Sequence, residues 1–242
     1  MLENFGLVAK IASMIVIMAS KIKIALIGYG KMGKEIDALC KGSETFEVVS
    51  VSYKNKEDGL DLKGIAKADI AVDFTSKDVV LKNIEEIAKL GKNLVVGTTG
   101  WSEDLPKVKK IVEKNKIGLV YSPNFSVGVN IFFKIMDFSA KLFEKFSDYD
   151  VYGLEVHHKA KLDSPSGTAL KIAGQVKGLN FTSIRSGRNP GFHEVVFDSQ
   201  ADGITLSHQA YSRAGFAKGA LVAAEFIKNK KGVHLFEELF TQ

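Results

Sequence analysis

The chain has 242 residues, enough for one large domain or two modest ones with real cores, and its 45% hydrophobic and 25% charged content excludes a disordered, fibrous or collagen-like chain. The formal net charge of +5 would suit nucleic acid, but the lysines are spread along helical stretches such as Lys107-Lys109-Lys110 and Lys228-Lys230-Lys231, so no nucleic-acid partner is expected and the diffuse positive field favours anionic cofactors and substrates. No apolar run is long enough to span a bilayer, so no membrane partner is expected either.

Residues 11–19 are apolar enough to resemble the core of a secretory leader, but Glu3 is negative and Lys10 is the only positive residue ahead of the run. Residues 1–20 are therefore set outside the fold as an extension. Residues 21–27 form a nearly continuous apolar run, the pattern of a strand buried on both faces. Gly28-Tyr29-Gly30-Lys31-Met32-Gly33 follows, and 34–41 reads as a helix with Ile36 and Leu39 facing inward. Cys40, on that helix's apolar side, is expected to be a packed thiol; as a lone cysteine it fits a reducing, cytoplasmic setting. Strands are predicted at 46–52, 69–74, 93–96 and 118–121, and helices at 78–90 and 105–114. This alternation implies right-handed crossovers and an α/β, Rossmann-like, doubly wound parallel sheet.

The pattern changes after Pro123. Phe132, Ile135, Met136, Leu142, Phe143 and Phe146 are expected to form the inner stripe of a long helix. Short strands are then predicted at 150–156, 182–186, 193–198 and 204–210, the last two joined by a hairpin at Ser199-Gln200-Ala201-Asp202-Gly203. A helix near 216–229 and an apolar tail at 233–240 end the chain. The expected domains are 21–126 with 213–242 for a dinucleotide, and 127–212, an α+β unit on a mostly antiparallel sheet, for substrate and oligomerisation.

The glycine turn lies between a buried strand and a helix, the context in which G-x-G-x-x-G holds a pyrophosphate on the helix start. The end of the second strand, Ser52-Tyr53-Lys54-Asn55-Lys56, offers no acid for ribose hydroxyls, whereas Lys54 or Lys56 can pair with a 2′-phosphate. That tilts the cofactor towards NADPH, with NADH possible. The strand-end loops Asp73-Phe74-Thr75-Ser76, Gly97-Thr98-Thr99 and Ser122-Pro123-Asn124-Phe125 should line the sheet's carboxyl edge. Asp73 can instead cap the next helix; Thr98 and Thr99 can bind the nicotinamide ribose or merely finish a turn.

Glu155-Val156-His157-His158-Lys159-Ala160-Lys161 ends a strand, and in a regular strand the two imidazoles point in opposite directions. Ser164-Pro165-Ser166-Gly167-Thr168-Ala169 then opens a helix whose N–H groups face an anion. No cysteine or third well-spaced ligand accompanies the histidine pair, so no metal is expected.

The run from His157 to Ala169 closely resembles the signature of the 4-hydroxy-tetrahydrodipicolinate reductase (dihydrodipicolinate reductase) family. Asp73-Phe74-Thr75, Gly97-Thr98-Thr99-Gly100, residues 124–130 and residues 207–213 are similar to that family too. The likeness begins near Lys21 and reaches the chain's end. It implies NAD(P)H-dependent reduction of 4-hydroxy-tetrahydrodipicolinate to tetrahydrodipicolinate in diaminopimelate and lysine biosynthesis, by a cytoplasmic homotetramer. By resemblance, His157 is the acid/base residue and Lys161 the proton donor, while His158, Gly167 and Thr168 hold substrate carboxylate. The implied cofactor contacts are Gly28, Tyr29, Gly30, Lys31, Met32 and Gly33, then Thr75, Gly97, Thr98 and Thr99, and finally Ser122, Pro123, Asn124 and Phe125, with Lys54 added from its position. Lys159 and Ala160 stand where the family often has Arg and His. Another small-substrate oxidoreductase, such as an amino-acid dehydrogenase, and a dinucleotide-sensing regulator are the rival readings.

Overall fold

A computed structural model describes residues 20–55, 57 and 59–241; the extension before Ser20, and Lys56, lie outside the described residues. In chain order the first part comprises β1 (Ile22–Ile27), α1 (Lys31–Lys41), β2 (Phe46–Ser52), α2 (Leu62–Ile65), β3 (Ile70–Asp73), α3 (Lys77–Lys89), β4 (Asn93–Val96), α4 (Leu105–Asn115) and β5 (Gly118–Tyr121). Then come α5 (Val127–Phe143), β6 (Asp150–His157), α6 (Gly167–Gln175), β7 (Phe181–Arg185), β8 (Phe192–Asp198) and β9 (Gly203–Gln209). The chain ends with α7 (Ala214–Ile227), β10 (Gly232–Leu235) and a 3-10 segment, Phe236–Phe240.

Six parallel strands form one sheet in the order β10-β5-β4-β3-β1-β2. All residues of β3 and β4 are buried because helices cover both faces. Alternate residues serve the two layers: Leu26, Val72, Val95 and Val120 pack with α1 and α7, whereas Ile27, Ala71, Leu94 and Leu119 pack with α3 and α4. The chain leaves β1 to one side for β2 and returns to its other side for β3, opening a crevice at the strands' carboxyl ends, where such sheets bind ligands.

The second sheet runs β7-β6-β8-β9. Its β6–β8 and β8–β9 pairs are antiparallel, while β6 and β7 are parallel and joined through α6. One face packs against α5 and α6 through Phe132, Met136, Ile172, Val195 and Phe197. The Phe143 and Phe197 rings stack at 4.1 Å between centroids.

Several sequence-based details change. Helix α1 starts at Lys31, so the last glycine of the turn lies inside it. The four-residue α2, capped by Asp61 accepting from Gly64 N at 2.9 Å, is too short to show periodicity. The tail becomes a strand that extends the first sheet beside β5. On α5, Phe132 and Met136 face inward as expected, but Ile135 and Leu142 are exposed and Phe146 lies exposed beyond the helix. Its apolar residues run around most of its circumference, so no single stripe can be chosen from the sequence; Val129, Phe133 and Ala140 complete the true inner face.

Candidate active site

The glycine turn is built as a cradle. Gly28 adopts φ +92°, and a Cβ there would lie 2.6 Å from the carbonyl oxygen of Phe74. A Cβ on Gly33 would approach the Gly28 carbonyl oxygen to 2.2 Å, so the third glycine permits α1 to pack on β1. Gly30, at the helix N-cap, meets nothing within 4 Å. Open space beside backbone at a helix start fits a pyrophosphate. A cavity of about 390 Å³ extends from Gly30, Lys31 and Met32 to Thr75, Gly97, Thr98, Thr99 and Arg213. Lys54 is exposed at the end of β2, its Nζ 6.0 Å from the centroid of the Tyr29 ring. The Tyr29 hydroxyl donates to Asp37 Oδ2 at 2.6 Å.

Asp73 neither faces ligand space nor caps α3, whose N-cap is Ser76. Its side chain is fully buried. Oδ1 accepts from Thr75 N at 3.0 Å, Thr75 Oγ1 at 2.7 Å and Thr98 Oγ1 at 2.8 Å, and Oδ2 accepts from Asn83 Nδ2 at 2.8 Å. Asp73 therefore fastens the loops after β3 and β4 together. Thr98's hydroxyl is spent on that task, leaving Thr99 as the exposed threonine. Phe125 is likewise turned into the core, between Phe74 and Phe236, so only its backbone is near the sheet edge.

A second cavity, of about 760 Å³, shares Thr99 with the first. Ser122, Pro123 and Asn124 line it from the parallel sheet's edge, and His157, His158, Lys161, Gly167 and Thr168 line it from the second sheet. β6 stops at His157, the His158 N–H bonds to the Asn189 carbonyl oxygen at 2.8 Å, and both histidines line the same cavity. Ser166 caps α6 by accepting from Ala169 N at 3.2 Å, and nothing lies within 4 Å of a Cβ on Gly167. Lys161 Nζ pairs with Asp163 Oδ1 at 2.9 Å. Lys161 first, with help from the N–H groups of Asp163 and Gly167 and against burial, holds this carboxyl below its ordinary range. The chain itself thus sets a carboxylate between the ammonium and the helix start.

Beneath the loop lies a network that the motif did not reveal. Glu155, on β6, is 0% exposed and sits in register between Ser183 and His193 on the neighbouring strands. Burial would raise its pKa, but bonds from Ser166, Ser183 and Arg185 outweigh it and bring the value to about 2. Burial holds His193 down to about 4, and it also holds His157 below the ordinary imidazole value; Glu155 opposes that shift while Lys161 and Arg185 add to it. Both rings are therefore neutral at pH 7. Glu155, His157 and His193 could approach a shared cation, their ligand atoms lying within 4.8 Å of one another. The Arg185 guanidinium, 2.7 Å from Glu155 Oε1, opposes such an ion electrostatically. His193, Ser183 and Arg185 escaped sequence reasoning because only strand register joins them to Glu155. Lys171, on α6, pairs with Glu237 of the final 3-10 segment, and both residues line the 760 Å³ cavity.

Models of the dihydrodipicolinate reductase N-terminus and C-terminus match residues 22–125 and 128–240. The chain belongs to the dihydrodipicolinate reductase family. It is an oxidoreductase of that family. The C-terminal match includes α7 and β10, which fold back onto the first sheet. A 4-hydroxy-tetrahydrodipicolinate reductase of Christiangramia forsetii is 36% identical over 237 residues, covering 90% of this chain and 97% of that protein. One from Methanocaldococcus jannaschii is 33% identical, covering 87% and 93%. The dipicolinate-bound dihydrodipicolinate reductase of Paenisporosarcina sp. TG-14 shares the fold with a TM-score of 0.78 at 24% identity, covering 91% of this chain and 100% of that one. The diaminopimelate dehydrogenase of C. glutamicum is similar in fold at a TM-score of 0.51 and 11% identity, covering 90% and 93%.

Proposed function

We propose that this reductase converts 4-hydroxy-tetrahydrodipicolinate, which loses its 4-hydroxyl as water and gains a hydride and a proton, to tetrahydrodipicolinate in diaminopimelate and lysine biosynthesis, with NADPH preferred and NADH possible. The observation that carries this reading is the 760 Å³ cavity, lined by His157, His158, Lys161 and the open start of α6 on one side and by the carboxyl edge of the parallel sheet on the other. The cofactor, when bound, supplies a hydride.

The chain's own residues supply the rest. Lys161 donates a proton to the electron-rich atom of the reduced substrate and offsets its negative charge; positioned acid catalysis of this kind contributes ~10²–10⁴-fold. His157, neutral at pH 7, is the acid/base group beside it. His158 and the N–H groups at Gly167 and Thr168 grip a substrate carboxylate, which takes over the place now held by Asp163. The glycine turn, Lys54 and the loops at 75, 97–99 and 122–125 hold the cofactor. Residues 21–126 with 213–242 form the dinucleotide domain, and 127–212 form the substrate domain. Four copies associate in the cytoplasm through the outer face of the second sheet, where Tyr152 and Ile184 are exposed. Mixing protein, NADPH and the cyclic dicarboxylate while following nicotinamide absorbance tests the reaction: rapid, substrate-dependent loss is expected. Cofactor binding without turnover would instead support the regulator, and turnover only with an amino acid would support the dehydrogenase.

A further inference from the structure

Glu155 precedes His157 by two residues on β6, so both side chains lie on one face of the sheet. Its two carboxylate oxygens have different surroundings. Oε1 accepts from Ser166 N at 2.9 Å, Ser183 Oγ at 2.7 Å and Arg185 Nη2 at 2.7 Å. The same Arg185 nitrogen donates to the Asp163 carbonyl oxygen at 2.6 Å, in the loop that carries Lys161. Oε2 is buried without a hydrogen bond. It lies 3.3 Å from His157 Nδ1 and 3.5 Å from His193 Nε2. A buried carboxylate oxygen without a donor is costly, and a small ring rotation would bring either nitrogen into bonding distance if it carries hydrogen.

The far side of the His157 ring is kept clear. A Cβ on Gly191 would lie 3.1 Å from Nε2, and Gly191 adopts φ +154°. A side chain here would crowd the one ring nitrogen turned away from Glu155.

We propose that Glu155 is a positioning residue for the reduction: Oε2 holds the hydrogen of neutral His157 on Nδ1, which leaves Nε2 as the unprotonated nitrogen, while Oε1 ties the α6 start and, through Arg185, the Lys161 loop to the same strand. This rests on the reading of His157 as the acid/base group. One carboxylate then sets the tautomer of one group and the location of the other. An aspartate that orients a catalytic imidazole acts by the same physical logic.

The test is the nitrogen spectrum of ¹⁵N-histidine-labelled protein, with His157 assigned from the His157→Gln variant. The wild type is expected to show an Nδ1–H tautomer at His157, and Glu155→Gln a mixture, because an amide can accept or donate. Turnover in Glu155→Gln should fall roughly 10- to 100-fold with KM for NADPH nearly unchanged, and the same change in a His157→Gln background should cost little more. An Nε2–H tautomer in the wild type overturns the proposal without any variant, as do an unchanged tautomer in Glu155→Gln or a fully additive loss in the double variant. Normal turnover in His157→Gln would sink the acid/base assignment instead, and the tautomer would still decide the role of Glu155.

Discussion

Two buried carboxylates serve the two sheets in opposite ways. Asp73, at the end of β3, meets only neutral donors: two threonines and an asparagine spread over both of its oxygens. Burial wins there and pushes its pKa up. Glu155 also has a guanidinium, and its pKa falls to about 2 despite burial. The first carboxylate is fully bonded and fixes loops; the second keeps an oxygen free beside an imidazole. Complete satisfaction marks a structural carboxylate, and charge with one open valence marks a group able to bias a neighbour's protons.

The sharpest way to break this contrast is to remove the groups that Glu155 serves. Lys161→Ala and His157→Gln should each lower kcat about 10²–10⁴-fold while NADPH affinity, by fluorescence titration, stays close to wild type. Asp73→Leu should act on the other side of the comparison. It strands the Thr75, Thr98 and Asn83 donors and should cost at least about 1–3 kcal/mol in urea unfolding. If Asp73→Leu kept full stability and lost only chemistry, the two carboxylates would have exchanged roles.

pH separates them further. The folded pKa of His193, about 4, and that of Glu155, about 2, both lie below their ordinary values of 6.5 and 4.5. The unfolded chain therefore takes up these protons first as pH falls. The stability linked to His193 should fade between pH 6.5 and 4, and that linked to Glu155 between 4.5 and 2. Asp73 has the opposite sign: its raised pKa lets the folded chain bind the proton first, so its own contribution improves as pH falls from that raised value to the ordinary 3.8. Urea midpoints measured from pH 7 to 4 should decline in the wild type and less steeply in His193→Asn, where the lowered His157 and His208 still contribute. A decline of unchanged steepness would reject the assignment. The smallest expected effect is at Lys54: Lys54→Ala should weaken NADPH several-fold and leave NADH unaltered, since only a 2′-phosphate needs its charge.

The parallel sheet was legible from the sequence because its strands are buried on both faces and punctuated by Gly28, Gly97 and Gly100, whose backbone needs leave a mark in residue type. The His157–Thr168 segment was legible because it is contiguous. Glu155, Ser183, Arg185 and His193 were not, since they meet only through the register of three strands, and register is set by tertiary pairing rather than local pattern. Thr98 and Phe125 show the converse. Their position at the sheet edge was foreseeable, but the inward turn of their side chains depends on Asp73 and on Phe236, far away in sequence.

The most direct test is a crystal structure of the protein with NADPH and pyridine-2,6-dicarboxylate. A carboxylate should lie against the N–H groups of Gly167 and Thr168 with Asp163 displaced from Lys161, and the His157 and Lys161 side chains should border the nicotinamide and the ligand ring. A dicarboxylate bound elsewhere, with the Lys161–Asp163 pair intact and both side chains remote from the nicotinamide, would contradict the account.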